Sequence, residues 1–137
     1  MAHIEYSEKG DSPLQKLLGH NVEVLKNWDK LLSSFYEFSS FDPKLQEEVR
    51  RAVAYQLGCA YCMSHGCPSP VIEDKKTKAA VDFARKMTQT DKAISKEDID
   101  KLKKYFSDKE IAELCAFICF GTGYARFGAS LGVDVTI

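Results

Sequence analysis

Apolar residues in this chain recur at steps of three and four. Leu14, Leu17, Leu18, Val22, Leu25, Trp28, Leu32 and Phe35 form one series, Leu45, Val49, Ala52 and Val53 a second, and Ala79, Ala80, Phe83, Ala84 and Met87 a third. Such steps return side chains to one face of a 3.6-residue helix. Nothing before the C-terminal tail alternates with the period of two that marks a half-buried strand. Helix starts are written in as well. Ser12-Pro13-Leu14-Gln15, Asp42-Pro43, Ser95 with Asp98 and Ser107 with Glu110 carry N-cap residues, two of them followed by Pro at the first helical position. Gly19 interrupts the first series, so that segment predicts one long helix or two. Leu57-Gly58 predicts a helix end, and Pro68 and Pro70 stop the short segment that follows. The segment EIAELCAFICFGTGYARF is apolar around most of its circumference, which predicts a central helix or one at a subunit interface. The tail GASLGVDVTI predicts one short extended piece. The expectation is an all-α, single-domain helical bundle of about six helices over residues 1–137.

A chain of 137 residues buries a core without needing disulfides or metal. Its net charge of −1 offers no electrostatic case for nucleic acid or an anionic membrane. The first residues, MAHIEYSEKGDSPL, are polar and lack the apolar run of an export signal. No uninterrupted run of about 18 apolar residues predicts a membrane span. Five cysteines, an odd number, in a chain without an export signal predict free thiols in a reducing, cytoplasmic compartment.

Three of those cysteines fall in QLGCAYCMSHGCPSP, with a histidine among them. Three readings compete. Cys59, Cys62, His65 and Cys67 can supply four zinc ligands, but a zinc site normally draws its second pair from a distant segment, and helical spacing turns Cys67 away from the other three. Cysteines also serve as small buried hydrophobes, the reading preferred for Cys67 and for Cys115 and Cys119, whose neighbours are Phe117, Ile118 and Phe120. The third reading is dithiol redox chemistry. Residues three apart on a helix stand within reach of a disulfide after small adjustment. A helix beginning near Gly58 or Cys59 would hold both sulfurs in its first turn, where unpaired N–H groups and the helix dipole favour thiolate. His65, three residues beyond Cys62, is placed to accept a thiol proton or to hold a thiolate.

The stretch LQEEVRRAVAYQLGCAYCMSHG also resembles the alkylhydroperoxidase D-like proteins of the carboxymuconolactone decarboxylase family: a Glu on one helix, a break, then Cys-x-x-Cys followed by His. Glu47 precedes Cys59 by twelve residues, as in that family, and AAVDFARKM through GTGYARF is similar to its second half. The resemblance implies an all-α fold and assembly into trimers, dimers or hexamers. It implies reduction of hydroperoxides by the cysteine pair, with no organic or metal cofactor and with a dithiol or thioredoxin-like protein as reductant. It implies catalytic roles for Cys62, Cys59, His65 and Glu47, with Cys62 attacking and Cys59 resolving or the reverse. A decarboxylase, a zinc-binding module and a non-catalytic helical subunit are the alternatives. One position departs from the family pattern: the relay histidine expected seven residues after the first cysteine is Gly66 here, and His65 stands one place earlier. A reversal at Leu57-Gly58 would set Glu47 beside the far end of the cysteine segment, in the order Glu, His, Cys.

Overall fold

In the computed structural model, which describes residues 1–89, 91 and 93–135, Ser12, Ser95 and Ser107 each close a capping box on the helix they open. The hydroxyl of Ser12 accepts from the Gln15 N–H at 3.2 Å, and the Gln15 side-chain oxygen accepts from the Ser12 N–H at 2.9 Å, so orphan donors of the first turn are satisfied reciprocally. Seven helices result among the described residues: α1 (Pro13–Leu18), α2 (Val22–Glu37), α3 (Pro43–Leu57), α4 (Ala60–Met63), α5 (Lys75–Met87), α6 (Lys96–Leu102) and α7 (Asp108–Leu131). The first apolar series divides in two. Gly19 ends α1, and the Asn21 side chain then caps α2 by accepting from the Val24 N–H. The tail is helical where a strand was expected: α7 continues through Gly128-Ala129-Ser130-Leu131 and stops at Gly132. The last two positions of that predicted strand lie outside the described residues.

α3 is the hinge of the packing, with α5 on one side and α7 on the other. Val49, Ala52 and Val53 of α3 meet Ala80, Val81 and Ala84 of α5 and Leu114, Phe117 and Ile118 of α7, closed at the end by Phe41, Leu102 and Phe106. A second cluster gathers Leu14, Leu17 and Leu18 of α1 with Ala54, Cys59, Cys62, Ala125 and Val133. By length and composition α7 could cross a membrane. Its inner side packs into the core, where Leu114 and Ile118 are fully buried. Its outer face is open, however: Cys119 stands exposed on it, which corrects the expectation of a core thiol there, while Cys115 is half-buried and packs against the core. An amphipathic stripe buries only the side that a neighbour covers, and neither α3 nor α5 reaches the Cys119 side.

One buried carboxylate ties two helices. Asp98 accepts both Lys86 Nζ bonds, at 2.8 and 2.7 Å, while bonding the Ser95 N–H and hydroxyl. Lys86 first, then the Ser95 bonds, hold its carboxyl at about 2 instead of 3.8. A carboxylate depressed on folding contributes stability above its unfolded pKa and loses it as pH falls through the folded value. Between pH 3.8 and about 2, wild type should therefore lose helical signal more steeply than Asp98→Asn, as followed by circular dichroism.

Candidate functional site around Cys62

α3 ends because Gly58 takes the left-handed conformation, φ +68°, while its N–H bonds the Ala54 carbonyl at 3.0 Å. The chain reverses there, and Cys59 becomes the N-cap of α4: its Sγ accepts the Cys62 N–H at 3.2 Å. Cys59 and Cys62 stand as a disulfide with Cα atoms 5.2 Å apart, the geometry that sequence spacing of three permits. α4 is a single turn, so the dipole invoked from sequence is slight, and the favourable contact for a Cys59 thiolate is that one N–H. The two sulfurs are not equivalent. Cys59 is fully buried at 0% exposure, and Cys62, at 6%, lines a cavity. α7 covers Cys59 at Gly128, where any Cβ would come within 2.8 Å of Cys59 Sγ. Cys67 is exposed outside this pair, which corrects its reading as a core thiol: α4 has already ended, and the loop carries Cys67 away.

The cavity measures about 200 Å³ and lies between α2, α3, α4 and α7. Leu32, Phe117, Phe120 and Tyr124 supply much of its wall, with Tyr36 and His65 exposed along it. The Tyr124 ring is braced by Trp28 and Phe120, at 6.1 and 6.2 Å between centroids. Burial pushes the Tyr124 phenol far up, so it stays protonated. His65 follows α4 in a turn. Its Nδ1 lies 2.8 Å from the Tyr61 carbonyl, which can only accept, so in the neutral ring Nδ1 carries the proton and Nε2 is left as acceptor. The Tyr61 ring meets the imidazole edge-on at 4.8 Å.

The reversal does bring α3 beside the far end of the cysteine segment, but an arginine occupies the place expected for the acid. Arg50 grips Glu47 with two bonds of 2.8 Å, then reaches the Cys62 carbonyl at 3.1 Å and the His65 carbonyl at 3.2 Å. Arg51 binds Glu47 at 3.0 Å and the Cys67 carbonyl at 3.2 Å, while Glu48 takes the Ser69 N–H and hydroxyl. The Arg50 bonds above all hold the Glu47 carboxyl below its usual range. Cys59 and Cys62 thus stand together and His65 shares the cavity wall with Cys62, whereas Glu47 stands behind Arg50 and its bonds go to Arg50 and Arg51, with none to the imidazole. Sequence reasoning passed over Arg50. Its signal was there: a charge three residues after an acid, on a helix whose next loop must be tied back.

Gly66 now has a physical account. Its φ is +134°, a conformation side-chain-bearing residues rarely adopt, and a Cβ there would meet Arg51 Nε at 2.8 Å. A histidine at this position would have to adopt that backbone and displace the end of the Arg51 side chain that ties the loop.

Neither a family model nor a curated protein matches the sequence. Solved structures do. The debrominase Bmp8 in its apo form superposes with a TM-score of 0.77 at 18% identity, covering 89% of this chain and 76% of that one. An uncharacterized peroxidase-related protein from Silicibacter sp. TM1040 gives 0.73 at 22% identity, covering 88% and 74%. A cysteine-to-alanine variant of Bmp8 in complex with 2,3,4-tribromopyrrole gives 0.76 at 18% identity, covering 89% and 75%. The fold is alkylhydroperoxidase D-like. The all-helical architecture expected from the sequence is the observed one, with seven helices where about six were expected. The additional element is the α1–α2 division, one of the two outcomes the first apolar series allowed. Among the described residues no three His, Cys, Asp or Glu side chains converge as metal ligands would.

Proposed function

We infer that this protein is a thiol-dependent oxidoreductase that reduces hydroperoxides through Cys62 and Cys59. The observation that carries the reading is the asymmetry of the pair: one sulfur on a cavity wall, its partner buried beneath at disulfide distance. The peroxidase-related neighbour of the same fold adds support.

The chemistry balances on these residues alone, given a peroxide and a dithiol. The Cys62 thiolate attacks the terminal peroxide oxygen; an S–O bond forms, the O–O bond breaks, and the departing alkoxide takes a proton. His65 Nε2 is the acceptor available to hold the thiol proton and return it. Cys59 attacks the resulting sulfenic acid, an S–S bond forms, and hydroxide leaves as water with the second thiol proton. An alcohol, water and the disulfide result. A dithiol or thioredoxin-like reductant then attacks Cys62, the accessible sulfur, and Cys59 departs as thiolate onto the Cys62 N–H. Arg50 acts as a positioning residue in this scheme, pinning the carbonyls of Cys62 and His65. Assembly into a homo-oligomer belongs to the same reading, supported by the open apolar side of α7.

Reduced protein treated with an equimolar hydroperoxide should lose two thiols, and peptide mapping should show a Cys59–Cys62 link. Two thiols lost from any other pair, or none lost, would overturn the reading.

A further inference from the structure

The cavity beside Cys62 has a size and a chemistry that together specify a ligand class. An apolar cavity of about 150 Å³ holds benzene, and sites for drug-sized ligands begin at about 300 Å³. This one, at about 200 Å³, fits a single ring with one substituent. Its wall is apolar and aromatic from Phe117, Phe120 and Tyr124. Part of the wall is position 121, which carries no side chain. Gly121 interrupts the interior of a long helix, where glycine lowers helix stability, yet a Cβ there would meet nothing closer than Val53 Cγ1 at an ordinary 3.5 Å. Nothing steric in the fold demands glycine here, and a larger side chain at this position would extend into the space that it lines.

The polar groups of the wall include unspent donors. Arg50 spends all but one of its N–H groups on Glu47, Cys62 and His65, which leaves an Nη1 hydrogen beside the cavity. The hydroxyls of Tyr61 and Tyr124 donate no hydrogen bond within the described residues, and Tyr124 is held in its protonated form. A wall with unspent donors in apolar surroundings selects a hydrogen-bond acceptor, since the Arg50 charge is already met by Glu47.

We propose that this cavity binds a single-ring aromatic molecule bearing one hydrogen-bond acceptor, with the ring against Phe117, Phe120 and Tyr124 and the acceptor toward Arg50, and that hydroperoxides carried on such a ring are the substrate class presented to Cys62. The proposal rests on the reading of Cys62 as the reacting sulfur.

Trp28, the only tryptophan, packs against Phe120 and Tyr124 at 5.3 and 6.1 Å and reports on the site by its fluorescence. Titrated with benzoate, the protein should show saturable binding at least about tenfold tighter than acetate, since the ring adds buried apolar area. Gly121→Val should weaken benzoate by more than about tenfold by filling the space. Arg50→Gln should weaken benzoate by about tenfold, the scale of a hydrogen bond to a charged group. Should Gly121→Val fail to fold, the wild type still decides, because benzoate must slow iodoacetamide alkylation of Cys62 in the reduced protein. Acetate binding as well as benzoate, unaltered binding in a folded Gly121→Val protein, or no protection of Cys62 overturns the proposal. The two readings fail separately: benzoate binding without peroxide-driven loss of thiols sinks the redox function and keeps the site, and the converse sinks the site alone.

Discussion

Cys62→Ser protein, given a hydroperoxide and a dithiol reductant, turns over no peroxide above the uncatalysed background. The expectation follows from access. Cys62 is the sulfur on the cavity wall, and Cys59 is sealed by the turn of α4 on one side and by Gly128 of α7 on the other. A serine hydroxyl at position 62 remains protonated and is a poor nucleophile at neutral pH. Cys59→Ser separates the two half-steps. Its Cys62 should still be oxidised once, and the sulfenic acid, with no buried partner to condense with, should persist and be trapped by dimedone. Cys67→Ser and Cys119→Ser should retain turnover, since both thiols are exposed away from the pair. Full activity in Cys62→Ser, or dimedone labelling found at Cys59 in place of Cys62, would reverse the roles.

Leu114→Ala lowers the stability by about 3–4 kcal/mol, read as a shift of the urea midpoint at constant slope. Leu114 is fully buried where α7 crosses α3 and α5, among residues that leave it no route to solvent. Removing its branched end takes away transfer free energy and leaves a void that rigid helix backbones on two sides cannot close. For a domain whose total stability is on the order of 5–15 kcal/mol, that is a large share. A loss below about 1.5 kcal/mol would mean that the three helices collapse onto the gap, and the packing described for α3, α5 and α7 would need revision.

Much of the helical framework could be read directly. Serine caps with a Gln, Asp or Glu three residues on, and Pro43 after Asp42, are local devices whose partners lie within one turn, so they act the same way in any tertiary setting. Gly58 is of the same kind, since a left-handed residue after an apolar stripe ends a helix by its own conformation. The tail was misread because alternation in GVDV was weighed without its preceding turn, which α7 continues to occupy up to Leu131. Thiol burial was misjudged for a different reason. Hydrophobic neighbours in sequence lie on all sides of a helix, so Phe117 and Ile118 face inward while Cys119 between them and Phe120 points out.

The sequence by itself determined the helical class, the reversal at Gly58 and a cysteine pair at disulfide spacing, because each depends on residues a few positions apart. Only the tertiary structure decided which sulfur meets the cavity, that Arg50 stands between Glu47 and the cysteine segment, and why position 66 is glycine. Those outcomes depend on groups brought together from α2, α3, α4 and α7. A carboxylate's partner is chosen by which cation arrives within about 3 Å, not by its distance along the chain.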